Sequence, residues 1–182
     1  MKRILILATV TGALFAATLP TVASAHHSTV TKRTVWLHQL NASGVWGKAV
    51  LTQQGSHLRV QIQASGLTRF RVHAQHIHGF DGWKNATCPP FHAADDIPQS
   101  PPGAAHPWRV LSLEEGLPYY GPVKLELTPY PTANRYGRIW YDRTFTVGWD
   151  LQHLHDEAIV LHGKPIASGY EPSLPVACGE ID

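Results

Sequence analysis

Three imidazoles fall within the run His73-Ala74-Gln75-His76-Ile77-His78. On a β-strand, residues i and i+2 share a face, so His76 and His78 can together hold one copper or zinc ion if other segments supply the remaining ligands. His73, three residues before His76, falls on the opposite face and is expected to make a structural hydrogen bond rather than a bond to the same ion. The competing reading is a half-exposed strand that carries histidines and no metal.

More distant histidines offer further donors. His162 closes the apolar run Ala158-Ile159-Val160-Leu161, either as a ligand or as a capped histidine of the core. His92 follows Cys88 by four residues and can reach toward His76 and His78, or serve as an ordinary loop side chain. His106 with Asp95 and Asp96 has the donor types of a zinc site, although adjacent acids in a proline-rich loop are more often solvated or capping groups. His153-Leu154-His155-Asp156 repeats the i, i+2 spacing, but a helix there would separate the pair. His26 can bind copper only if it becomes an N-terminus that is held in place.

The elements that must carry these residues read as short strands with turns between them. His57 to Ala64 sets Leu58, Val60, Ile62 and Ala64 against His57, Arg59, Gln61 and Gln63, the strict alternation of a half-buried strand. Thr34 to Leu40, Val45 to Gln53, Arg71 to His78, Pro122 to Thr128, Ile139 to Val147, Ala158 to Leu161 and Val176 to Ile181 complete the expected set. Gln54-Gly55-Ser56 is expected as a hairpin turn, and Asp150 to Glu157 as a short helix. From Gly79 to Pro118 the periodicity vanishes and prolines accumulate, which predicts a long loop. Strands of this number with no long amphipathic helix describe an all-β, antiparallel Greek-key sandwich or barrel.

Composition narrows the function classes. The chain opens with Lys2-Arg3, an apolar run from Ile4 to about Val22 and Ala23-Ser24-Ala25, the order of a secretory signal peptide, so 1–25 is expected to be cleaved and the protein to be secreted or periplasmic. A flexible arm over 26–33 and one domain over 34–182 would follow. Loss of Lys2 and Arg3 brings 15 basic side chains level with the 13 acidic ones, which removes the electrostatic basis for nucleic-acid or anionic-membrane binding. Two cysteines in a secreted chain most simply form one disulfide, Cys88 to Cys178. No phosphate loop or G-x-S-x-G elbow is present.

Taken together, Gly66-Leu67 leading into His73-Ala74-Gln75-His76-Ile77-His78-Gly79, Cys88 in a long loop, His162 ending an apolar strand and Ala177-Cys178-Gly179-Glu180-Ile181 resemble the copper/zinc superoxide dismutase family. The same residues also resemble the related CHRD-type domains, which share the His-x-x-His-x-His strand. The resemblance spans roughly Thr34 to Ile181 and implies that His76, His78 and His162 are copper ligands, that Cys88 pairs with Cys178, and that superoxide is the substrate if the protein is an enzyme. His92 is the candidate for the metal-bridging histidine, at a shorter distance from the cysteine than in the family. The zinc ligands do not map, since Ser100, Arg109 and Ser112 stand at their spacing. Pro175-Val176-Ala177 replaces the substrate-guiding arginine, leaving Lys164 or a loop arginine to supply that charge. The alternative function is a non-catalytic module of the same fold that binds metal or serves a structural or interaction role.

Overall fold

Alternation becomes a sheet in which every pairing is antiparallel. The computed structural model describes residues 29–82, 84–90, 93, 110–151 and 154–182. Its strands are β1 (Val30–Gln39), β2 (Trp46–Gln54), β3 (His57–Ser65), β4 (Gln75–His78), β5 (Val123–Glu126), β6 (Ile139–Thr146), β7 (Ala158–Ile166) and β8 (Gly169–Glu180), with the α-helix α1 (Leu113–Tyr120) before β5. They form one eight-stranded sheet in the order β5-β4-β7-β8-β1-β2-β3-β6, curled into a sandwich-like half-barrel. β1 joins the two halves: Val30 to Leu37 pair with β2, and His38 and Gln39 pair with β8.

The inner faces meet in a single aliphatic core. Leu58, Val60, Ile62 and Ala64 from β3 pack with Val35 and Leu37, Ala49 and Leu51, Ile77, Ile159 and Leu161, all of them buried. Burying a Leu, Ile or Val is worth roughly 1.5–3 kcal/mol each, so this set is the main source of stability. A second, smaller cluster lies on the other face of β7 and β8, where Tyr120 and Ala86 cover Ala158, Val160 and Cys178. The first part of β7 and the last part of β8 are therefore buried on both faces.

Several expected boundaries move. Val30–Arg33 is paired strand rather than flexible arm, because the edge of β2 extends to Gln54 and offers it partners. The strand expected over Arg71 to His78 shrinks to Gln75–His78, since Arg71 and His73 spend their backbone groups on Ala133 and Pro131, and Val72 makes only an isolated bridge to Thr132. The expected loop to Pro118 ends in α1. Ser112 caps that helix and Glu115 returns a bond to the Ser112 amide, a capping box legible as Ser112-Leu113-Glu114-Glu115. Asp150 to Glu157 holds two short 3-10 turns, Trp149–Leu151 and Leu154–Asp156, in place of one helix. β7 and β8 run longer than expected and meet in a hairpin whose last pair is Ile166 and Gly169. Among the described residues, no helix is long and apolar enough to cross a membrane.

The two cysteines are bonded, with an S–S distance of 2.01 Å and Cα atoms 5.7 Å apart. Cys178 lies on β8, so the bond ties the segment around Cys88 to the outer face of the sheet. Three hydrogen bonds support it: the Cys88 amide to Glu180 Oε1, the Ala86 amide to the Asp156 carbonyl and the Thr87 amide to the Tyr119 carbonyl.

Candidate metal centre

Pairing of β4 with β7 sets His76 opposite Val160 and His78 opposite Ala158. Ile77, between the two histidines, points into the core with Ile159 and Leu161. His76 and His78 therefore emerge on the other face, beside Ala158 and Val160, where β7 also delivers His162. One ring nitrogen from each of the three lies within 4.8 Å of the others. An ion bound at about 2.0–2.1 Å from each would need N···N separations of about 3.3–4.1 Å, a spacing that this limit accommodates.

Hydrogen bonds fix which nitrogen of each ring faces inward. His78 Nδ1–H donates to the Gly121 carbonyl at 2.8 Å, leaving Nε2 as a bare lone pair. His162 Nδ1–H donates to the Ser173 carbonyl at 2.8 Å, again leaving Nε2 bare. His76 is reversed: its Nε2 lies 2.8 Å from the Tyr130 hydroxyl, and Nδ1 turns inward. Among the described residues, the buried side-chain polar atoms without a hydrogen-bond partner are His76 Nδ1, His78 Nε2, His162 Nε2 and the two amide atoms of Gln75. An unpartnered buried polar atom costs about 1–3 kcal/mol, and three converging at one point fit a metal ion, which would take all three lone pairs.

Burial keeps these rings neutral. It lowers the His78 imidazole to about 4, with the Gly121 carbonyl opposing and His76 reinforcing the shift. His162 falls to about 3, again chiefly from burial, helped by His76 and His78 and resisted by the Ser173 carbonyl. His76 is lowered by burial and partly restored by Glu126. Lone pairs are thus available well below neutral pH, with little competition from protons.

Glycines shape two sides of the centre. Gly121 has φ +79, and a Cβ there would stand 2.4 Å from the Gly79 carbonyl oxygen, so only glycine presents this carbonyl to His78 without displacement. Gly163, with φ +107, sits at the register shift that follows His162; a Cβ there would fall 1.9 Å from the Tyr170 hydroxyl and 3.0 Å from His73 Nδ1. Tyr120 packs its ring 4.6 Å from that of His78.

Of the other candidates, His73 is fully buried away from the cluster, its Nδ1 2.8 Å from the His162 carbonyl and its Nε2 3.1 Å from that of Thr68, so it braces the strand that carries His162. His155 lies beside Asp156 at 3.2 Å with its side chain half exposed. Ser112, at one of the zinc-ligand spacings, is occupied as the helix cap. Lys164 donates to the Asn41 carbonyl, and burial lowers its pKa. His26, His92, Asp95, Asp96, Ser100, His106, Arg109 and His153 lie outside the described residues. Sequence reasoning missed Tyr130, Glu126 and the carbonyls of Gly121 and Ser173. No local spacing marks them, because each meets its histidine through chain pairing.

Fold and site together define a curled antiparallel sheet with a buried three-histidine centre able to chelate a metal ion. No protein-family model matches the sequence, and no curated protein matches it significantly.

Proposed function

We propose that this chain is a metal-holding β-sandwich module, of the CHRD type its sequence resembles, that binds copper through His76 Nδ1, His78 Nε2 and His162 Nε2. The observation that carries the proposal is the convergence of three buried, neutral, unpartnered ring nitrogens. All three donors are imidazoles, which suit both copper and zinc, and divalent copper stands highest in the affinity order for nitrogen ligands. The disulfide and the leader-like segment at 1–25 support a site of action outside the reducing cytosol.

Superoxide dismutation is the second reading, favoured by a described ligand set of three, which leaves a coordination position for a small anion. Copper held there would supply reversible one-electron chemistry. The chain's own residues give that reaction little help: Pro175-Val176-Ala177, with no arginine, stands just before Cys178, and Lys164, the nearest substitute in the sequence, is tied to Asn41. Electrostatic steering of the anion would be correspondingly weak. The module is therefore a copper holder first, and an enzyme only if the position is open to superoxide.

Titration of the purified protein with Cu(II) is expected to saturate at one ion with a nitrogen-rich EPR spectrum. His162→Ala should weaken binding by more than the roughly 10–100-fold typical of a lost outer hydrogen bond. Unchanged affinity in that variant would remove the proposed centre. Superoxide removal faster than by the same concentration of free copper would promote the second reading.

A further inference from the structure

Two of the three imidazoles are oriented by backbone carbonyls, at Gly121 and Ser173. His76 alone depends on a side chain, the Tyr130 hydroxyl at 2.8 Å from Nε2, with the rings edge-on and their centroids 5.6 Å apart. Glu126 completes the group. It stands directly opposite His76 in the β4–β5 register, on the same face, and its negative charge, after burial, helps raise the pKa of the Tyr130 hydroxyl.

The proton inventory allows two arrangements, which differ in where the phenol's proton goes. A carboxylate only accepts, whereas a phenol has one proton to give and lone pairs to receive with. If Tyr130 donates to Glu126, its oxygen accepts from His76 Nε2–H and His76 Nδ1 presents a lone pair to the centre. If Tyr130 instead donated to His76, Nδ1 would carry the proton toward the bare Nε2 atoms of His78 and His162 and present no lone pair, and the Glu126 carboxylate, a stronger acceptor than a neutral imidazole, would go without the phenol's proton. The carboxylate beside the phenol selects the first arrangement.

We propose that Tyr130 and Glu126 form a positioning relay that holds His76 in its Nε2–H tautomer and so makes it an Nδ1 donor. The relay's effect on metal rests on the copper reading above, whereas its effect on the tautomer does not. Outer partners of this kind orient the ring and strengthen it as a ligand. Neither residue touches the ion; each acts through His76.

Nitrogen-15 NMR of the metal-free protein near neutral pH reads the tautomer directly. His76 is expected to carry its proton on Nε2 in the native chain and to become a mixture in Tyr130→Phe; a native His76 protonated on Nδ1, or a tautomer unmoved in Tyr130→Phe, would overturn the relay. Copper competition titrations, with folding checked by circular dichroism, should show Tyr130→Phe weakening Cu(II) about 10–100-fold. Glu126→Gln, an exposed and conservative change, should weaken it less and have no further effect once Tyr130 is Phe. Additive losses in the double variant would show that Glu126 acts independently and sink the relay. His76→Ala separates the two ideas: if it leaves copper affinity unchanged while the tautomer behaves as expected, the copper reading fails and the relay stands.

Discussion

From Trp46–Ser65 to Gln54–His57 the β2–β3 ladder runs without a slip, and so do β1–β2 and β3–β6. In the other half, β4–β5 shifts register between Ile77 and His78, and β7–β8 shifts on either side of His162. Both irregularities fall at histidines of the candidate centre. The regular half also leaves its outer face in water, where Trp36, Lys48, Gln63 and Trp140 stand in one cross-strand row. The irregular half is covered on that face by Tyr120 and the disulfide-tied segment. Regular pairing maximises ladder bonds and needs no cover, whereas a bulge re-aims a side chain and leaves polar atoms that must be sheltered. One half is a scaffold and the other a site whose uncompensated nitrogens the scaffold must carry.

The largest expected effect strikes the cover. Replacing both cysteines by serine removes a bond that spans 90 residues of sequence, worth roughly 4–5 kcal/mol by chain entropy. Chemical denaturation should show that loss, and copper affinity should fall with it, because the segment shielding the site is freed. If affinity were untouched, the two halves would not differ in the way described.

Ile62→Ala, in the centre of the regular half, is expected to cost about 2–5 kcal/mol by urea unfolding while the folded fraction keeps its copper affinity. Altered affinity would show that the core reaches the site.

Lowering pH distinguishes the halves without mutation. In metal-free protein, His78 and His162 stay neutral down to about 4 and about 3, whereas the unfolded chain gains those protons near 6.5. The unfolded state then binds more protons, so stability should fall as pH drops from about 6.5 and level off below about 3. Glu157 opposes this. Burial chiefly, with Asp156 and Asp150 adding and the Asp156 amide and Lys124 resisting, raises it from 4.5 to about 7. Its contribution is complete below 4.5 and is lost as pH rises through about 7. Thermal melts across this range should show a net acid loss, and Glu157→Gln should abolish only the alkaline component.

Smallest of all, Arg59→Ala breaks a two-bond contact with Asp142 on the exposed face of the scaffold and should leave the unfolding midpoint and copper affinity nearly unchanged, because solvent screens the pair. A larger loss would mean that the outer face of the regular half is also under load.

Legibility followed the same division. The alternation of β2, β3 and β6 and the turn at Gly55 could be read residue by residue, since one buried and one wet face impose a period of two. Around the site that code fails: Ala158 to Leu161 is apolar on both faces because both are covered, and the strand of His76 and His78 is four residues long, too short for a pattern. α1 was legible in its capping box but hidden by the prolines around it.

The sequence by itself determined the strands, the shared face of His76 and His78, the separate role of His73 and, through one pair of cysteines, the disulfide. Its resemblance to a known family also singled out His162. Tertiary structure decided that His162 meets the pair, through the β4–β7 register, and which nitrogen of each ring turns inward, through Gly121, Ser173 and Tyr130. Periodicity is local and survives in the linear chain. A ring's tautomer depends on the one acceptor or donor at its far side, and folding brings that partner to His78 and His76 from the segments before and after β5 and to His162 from β8.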